Sequence, residues 1–401
     1  MNIDKTLLKG SVILFVTLGM FNFLNFIFQF SMVRLLSIAD YGMLAALFSI
    51  IYIFGVFSES IQLVITRYTS SENDPGRLKN IMKRSIKKAF IFSSLIFAIY
   101  LIISVFLSAF LKIPYLLLAF NGLLLFYFFL IPVTRGVMQG RKAFGSLGFN
   151  LVVESALKVV FGVLLVVLGW GIYGAIGAVI IGGAIAFVFS LLSLRDITKS
   201  QEKPLSTPRI YRYSGPLFVI VLIITAFYSV DVLIAKIVFS EVMAGYYAIA
   251  AVLAKTIFWG TQPISKAMFP ITAEDADKKR PSGKIYRNAL MIVFLLIAVA
   301  LIIFYFFSRL IITIYAGEFI AEAASILFYL GVGCALLSFA NLNLLYHLSR
   351  AELKRYWLFG IFIVLEIALL FYFSGSLVEF SLAFISAAAA FLFGTIVLLK
   401  E

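Results

Sequence analysis

Apolar runs of membrane-spanning length follow one another along this chain, and short polar linkers separate them. A spanning α-helix needs about 20 apolar residues, each adding about 1.5 Å of rise. Twelve stretches meet that requirement: Leu7–Leu36, Tyr41–Tyr68, Ile86–Leu111, Tyr115–Met138, Leu147–Gly169, Ile172–Leu194, Ile210–Val238, Met243–Met268, Ala289–Ser308, Ala321–Tyr346, Tyr356–Ser374 and Leu377–Leu399. The pattern predicts an all-α polytopic membrane protein of about 12 transmembrane helices.

The linkers supply a direction, because they alternate between Lys/Arg-rich and nearly devoid of basic charge. With the N-terminus inside, 27 of the 33 Lys and Arg residues fall on the inner side, Arg135, Arg141 and Lys142 among them. Four fall outside (Arg34, Lys112, Lys236 and Arg309), and Lys158 and Lys255 lie deep within apolar runs. Basic residues accumulate on the cytoplasmic side. The expectation is a multi-pass protein of the cell membrane with both termini cytoplasmic.

The longest central polar stretch, Arg195–Arg212, contains Pro204 and Pro208 and divides the spans six and six. The domain reading is an N-terminal six-helix lobe over residues 1–198, a cytoplasmic linker over 199–212 and a C-terminal six-helix lobe over 213–401. A repeat supports it. Arg34–Leu47 reads RLLSIADYGMLAAL, and Lys236–Leu253 reads KIVFSEVMAGYYAIAAVL. Each has a cation near the end of a long span, a short linker with one acid, then aromatic, Gly and small residues. Gly42 and Gly245 align, 203 residues apart. Six spans per half make this a parallel repeat.

Composition removes several classes of function. The chain is 63% hydrophobic and 13% charged, with a mean hydropathy of +1.08; a soluble chain carries about 25% charge. The net charge of +14 is scattered over separate linkers, which argues against a nucleic-acid surface. One cysteine, Cys334, and one histidine, His347, exclude an internal disulfide and Cys- or His-pair metal sites. No metal and no cofactor is expected. The first apolar run lacks a small-x-small cleavage site and reads as a retained span. There is no Walker A lysine motif and no nucleotide fingerprint. Outer linkers of about a dozen residues at most leave no room for an extramembrane catalytic domain, so the expectation is a protein that is not an enzyme.

Polar residues inside the spans recur at helical spacing. The sets are Asn22, Asn25 and Gln29 with Arg34 beyond; Glu59, Gln62 and Thr66; Asn150, Glu154 and Lys158; Thr225, Tyr228 and Asp231; Lys255, Trp259, Gln262 and Lys266; Ser338 and Asn341, with Asn343 and His347; and Glu366 alone. Each set lies on one helix face. A charge at the bilayer centre costs about 2.5–3.5 kcal/mol or more, so such residues usually face a cavity or a partner. One reading is a polar cleft; the other is interhelical hydrogen bonding. Glu154 and Lys158, four residues apart, can neutralise each other on one helix, so a structural and a functional role stand side by side there. Gly174, Ala178 and Gly182 form a small-residue face suited to close packing.

Three stretches carry a family resemblance: Arg34–Leu47, Thr134–Val160 (TRGVMQGRKAFGSLGFNLVVESALKVV) and Val230–Pro270, which opens VDVLIAKIV and ends MFP. Together they resemble the polysaccharide-biosynthesis flippases (Wzx-like) of the multidrug/oligosaccharidyl-lipid/polysaccharide (MOP) superfamily, over nearly the whole chain. The resemblance implies two six-span lobes about a central cleft, with alternating access carrying lipid-linked sugars across the membrane. It places Asp231 and Lys255 in that cleft. Lys255 is then the first candidate for a phosphate contact, against a structural pair with Asp231. Arg34 and Lys158 follow, and Asn25, Gln29, Gln62, Trp259 and Gln262 complete the binding set. Glu59, Asp231 and Glu154 are the ion-coupling candidates. The implied partners are a lipid-linked glycan, membrane lipids and a coupling ion, proton or sodium. Two alternatives remain open: an ion-coupled drug or solute antiporter of the same fold, and a membrane enzyme of glycan assembly.

Overall fold

The computed structural model describes residues 5–70, 72–204, 215–350 and 356–398. Among them every regular element is a helix. In chain order these are α1 (Lys5–Leu35), α2 (Ile38–Ser70), α3 (Pro75–Leu111), α4 (Tyr115–Gly122), α5 (Leu124–Gly140), α6 (Phe144–Leu165), α7 (Gly171–Ser193) and α8 (Arg195–Lys199). They continue as α9 (Gly215–Val238), α10 (Glu241–Asp277), α11 (Gly283–Ala316), α12 (Ala321–Ser349), α13 (Ile361–Tyr372) and α14 (Leu377–Val397).

Local chemistry fixes the helix ends. Asp74 accepts hydrogen bonds from the backbone N–H of Gly76 and Arg77 (2.8 and 3.2 Å), and Pro75 opens α3. An acid cap with proline at the first helical position satisfies donors that have no partner within the helix. Ser240 caps α10 and Ser376 caps α14 in the same way. Between α6 and α7 the chain turns through Gly169 (φ 90°) and Gly171 (φ 50°). That region strongly favours glycine.

Ten helical segments among the described residues are long and apolar enough to cross a membrane. One of them, Phe144–Ser193, is a 50-residue stretch containing both the fifth and the sixth predicted spans. Tyr356–Tyr372 is a shorter apolar segment at the eleventh. The chain is an all-α polytopic membrane protein. Several helices outrun their predicted spans. Helix α3 has 37 residues, about 55 Å at 1.5 Å each, against a hydrocarbon core of about 30 Å. Its first turns, with Arg77, Lys79, Lys83 and Arg84, are helical but too charged for lipid. Apolarity marks the part in lipid, not the end of the helix. Only 17% of the apolar window of α3, and of α11, is buried, against 72% in α10. The first two therefore turn their side chains to lipid, and α10 is packed within protein.

The chain forms two compact units: Met1–Ser37 with Phe54–Ser214, and Ile38–Ile53 with Gly215–Glu401. Helix α2 contributes to both. In the first unit, Ile65, Leu78, Met82, Phe129, Val137 and Leu194 form a buried cluster. The small face of α7 meets α6: a Cβ on Gly182 would lie 3.1 Å from the Glu154 carbonyl. Residues 200–204 are clasped to the start of α3. Lys79 donates to the Ser200 carbonyl (2.7 Å), Lys83 and Asn80 to Glu202 (2.7 and 2.8 Å), and Lys203 to Asp74 (2.6 Å). Lys203 holds the Asp74 carboxyl below its usual range, and Lys83 does the same for Glu202.

In the second unit, α10 and α12 pack closely with α14. Phe227 stacks on Phe391 at 5.1 Å between ring centroids, and Tyr247 meets Phe380 edge-on at 5.1 Å. The first turns of α2 pack here too. A Cβ on Gly42 would lie 2.8 Å from the Cα of Gly245, and one on Gly245 would lie 2.2 Å from the Ile38 carbonyl oxygen. The two glycines aligned by the repeat touch. Beside them the buried hydroxyls of Tyr41 and Tyr315 share a 3.0 Å hydrogen bond.

Candidate functional site

Each unit holds a buried cluster of charge, and each is built from residues spaced along a few helix faces. In the second unit the acid is Asp231, late on α9. Lys255 and Tyr247 reach it from α10; eight residues apart, they share one face of that helix. Lys255 Nζ donates to Asp231 Oδ1 at 2.9 Å, and the Tyr247 hydroxyl donates to Oδ2 at 3.1 Å. Asp231 is 1% exposed and Lys255 6%. The ammonium also lies 5.8 Å from the centre of the Tyr228 ring, within the range where an aromatic face attracts a cation.

A third charged side chain belongs to this cluster. Glu366 on α13 is fully buried, and neither carboxylate oxygen has a hydrogen-bond partner among the described residues. Its electrostatic neighbours are Asp231 and Lys255. Among the described residues this places the Asp231 and Glu366 carboxyls beside the Lys255 ammonium. Lys236, five residues beyond Asp231 on α9, is also buried. Trp259 and Gln262 continue the Lys255 face and are half-buried, while Lys266 is exposed.

The first unit's cluster is built around Arg135 on α5. Its Nη2 donates to Glu154 on α6, and its Nε donates to Asn150 Oδ1 at 2.8 Å. Asn150 in turn donates to the Ala186 carbonyl (2.6 Å), and the Tyr127 hydroxyl donates to the other oxygen of Glu154 (2.6 Å). This corrects the charge count: Arg135 is 5% exposed, an interior residue and not a linker charge. Glu154 is committed to Arg135 and Tyr127. Lys158, its neighbour one turn on, donates instead to Asn25 on α1 and lies 4.6 Å over the Phe28 ring.

The remaining sequence-predicted residues divide between the two readings of a polar stripe. Gln62 donates to Gln139 (2.8 Å) and Thr66 to the Gly136 carbonyl (3.3 Å), so that face of α2 is bonded to α5. Asn343 on α12 donates to the carbonyl and hydroxyl of Thr395 on α14 (2.9 and 3.1 Å). Glu59 is exposed, as is Arg34, whose guanidinium lies 4.4 Å over the Phe30 ring; Gln29 is half-buried. Sequence reasoning missed Arg135, Tyr127 and Tyr247 as site residues. Arg135 does fall inside the fourth predicted span, and Tyr247 lies two turns before Lys255; those were the available signals. Among the described residues no group of three or more His, Cys, Asp or Glu side chains could hold a metal ion.

A family model described as "Polysaccharide biosynthesis protein" matches residues 31–325. No curated protein matches the chain. Solved structures similar in fold include an inward-facing multidrug resistance MATE family transporter of the MOP superfamily, with a TM-score of 0.78, 15% identity, and coverage of 96% of this chain and 98% of that one. The lipid II flippase MurJ, in an inward closed conformation, gives 0.72 at 14% identity over 97% and 88%. A MOP superfamily transporter from Pyrococcus furiosus gives 0.62 at 15% identity over 99% and 95%. At these identities the likeness is one of fold, and that fold is the one MOP transporters use.

Proposed function

The chain belongs to the polysaccharide biosynthesis protein family, and from that premise we propose that it is a flippase: it carries a lipid-linked oligosaccharide or polysaccharide precursor across the cytoplasmic membrane by alternating access. The family match over residues 31–325 is the observation that carries this reading. The working parts are two six-span lobes, residues 1–198 and 213–401, joined by a cytoplasmic linker, with both termini cytoplasmic as the basic bias suggests. The glycan headgroup crosses in polar surroundings while the lipid chain stays in hydrocarbon, since neither tolerates the other's environment. No step of the reaction breaks a covalent bond.

Of the two readings of Lys255, its 2.9 Å bond to Asp231 favours the pair over a phosphate contact. Arg34 and Lys158 then become the leading cations for an anionic headgroup, with Asn25, Gln29, Trp259 and Gln262 as hydrogen-bonding and stacking groups. For coupling, Asp231 with Glu366 is the leading site. Two carboxyls beside one ammonium leave one negative charge to balance, and a proton or a monovalent cation balances it. Glu154 already has its arginine. The functional test is mass spectrometry of lipid-linked glycans in a deletion strain. The expected result is precursor accumulating on the inner leaflet, restored to export by the intact gene; unchanged export would overturn the reading.

The fold likeness to a MATE transporter keeps a drug or solute antiporter as the second reading. It predicts that the same deletion sensitises cells to cationic drugs and leaves glycan precursors untouched.

A further inference from the structure

On the lipid-facing side of the second unit, α11, α12 and α14 enclose a groove of about 570 Å³. Its floor includes Phe339 of α12 and Leu392 of α14, and α11 forms one wall through Leu290, Met291, Phe294 and Leu295. Met291, Phe294 and Leu295 are all more than half exposed, so this wall is presented to the hydrocarbon and not closed over by protein.

The groove is apolar along its length and polar at one end only. There Tyr286 donates to Asn343 Oδ1 (3.3 Å), and Asn343 spends its own N–H groups on Thr395. Those polar atoms are satisfied and leave the wall apolar. At the Tyr286 end, the α11 face that lines the groove carries two cations. Lys284, Arg287, Met291 and Leu295 follow one another at helical spacing on a single face. Lys284 and Arg287 are both exposed, and neither has an ion pair or hydrogen bond among the described residues. The bias of Lys and Arg puts this end at the cytoplasmic surface.

We propose that this groove is a lipid-binding site that takes one acyl chain of an anionic phospholipid of the cytoplasmic leaflet, its phosphate held by Arg287 and Lys284. The dimensions select that occupant. From Tyr286 to Leu295 the wall runs about 14 Å at 1.5 Å per residue, about half of a hydrocarbon core of roughly 30 Å. That is the depth of one leaflet, and a polyprenyl chain long enough to cross both would overrun it. The two cations in line with the groove favour a headgroup of net negative charge over a zwitterionic one. The site lies within α11, α12 and α14 and does not rest on what the protein transports.

Native mass spectrometry of the purified full chain tests this, titrated separately with phosphatidylglycerol, phosphatidylcholine and a polyprenyl phosphate. The expected result is one phosphatidylglycerol held in preference to phosphatidylcholine. Each of Lys284→Ala and Arg287→Ala should weaken it roughly fivefold, and the double variant about thirtyfold. Arg309→Ala, an exposed cation far along the same helix, should leave it unchanged. Leu392→Trp, which fills the groove, should remove retention of the lipid. Because Lys284 and Arg287 are surface residues, their variants report on binding even where the filled groove fails to fold. Equal affinity in wild type and the double charge variant, or tighter binding of the polyprenyl phosphate than of phosphatidylglycerol, would overturn the assignment.

Discussion

Glu154 in the first unit meets an arginine, and Asp231 in the second meets a lysine; both acids are buried and both are bonded to a tyrosine. The difference lies in what the cation can reach. A guanidinium presents a fork of five N–H donors and does not lose its proton. Arg135 uses the fork to hold Glu154 and Asn150 together. An ammonium is a compact charge on a flexible stem, and its proton can be lost when it is buried. Lys255 holds Asp231, and Glu366, fully buried nearby, has no donor among the described residues. One cluster is saturated and fixed. The other leaves one buried carboxyl, Glu366, with no hydrogen bond among the described residues.

The comparison breaks most visibly at Arg135. Removing one partner of a buried pair strands the other charge and costs about 3–5 kcal/mol. Arg135→Ala should therefore unfold at much lower temperature in detergent, and adding Glu154→Gln should recover part of the loss. A full recovery of transport with no stability change in the single variant would end the structural reading of this cluster. Lys255→Ala should cost a similar amount, about 3–5 kcal/mol, but Asp231→Asn in the same chain should restore both folding and flipping; failure of that rescue would return Lys255 to the role of phosphate contact.

A subtler test separates the clusters by response instead of strength. Glu366→Gln removes the charge and keeps the shape, so the protein should fold while the pH or sodium dependence of transport flattens. Glu154→Gln should leave that dependence in place. Transport assays in vesicles at several pH values and sodium concentrations read both, and an unaltered profile in Glu366→Gln would remove Glu366 from coupling.

The smallest effect belongs to the exposed clasp between residues 200–204 and α3. Asp74 and Glu202 are held below their usual range by Lys203 and Lys83. Their contribution to stability is present above the carboxylate pKa of the unfolded chain and is lost as pH falls through the lowered folded values. Exposed pairs of this kind contribute little and are screened by salt. Glu202→Gln should shift the melting temperature little at neutral pH and remove part of its decline in acid.

The membrane class, the stripes and the pairing of Asp231 with Lys255 as an alternative were legible because charge inside an apolar run is rare and conspicuous. Glu366 was visible too, but it stands alone on its helix, and its neighbours come from α9 and α10, far away in sequence. Arg135 was miscounted because a basic residue near the end of a span resembles an anchoring charge until burial is known. Helix α3 begins before its apolar span and α11 extends beyond both ends of its own, since helical hydrogen bonding continues into water after the apolar residues stop. The sequence aligns Gly42 with Gly245; that the two touch is a property of packing.

That contact has a bearing on ancestry. If the two halves descend from one duplicated gene, the earliest tandem protein carried the same residue at both places, and at this crossing the copies met each other. A side chain tolerable there has to be tolerable against itself, which leaves glycine with little competition. Divergence since then has been constrained jointly. A larger residue at position 42 runs into the backbone of Gly245, and one at 245 runs into Ile38. Across relatives, the two positions should therefore drift together where they drift at all, a correlated record of the duplication kept by steric exclusion after the surrounding sequence has lost it.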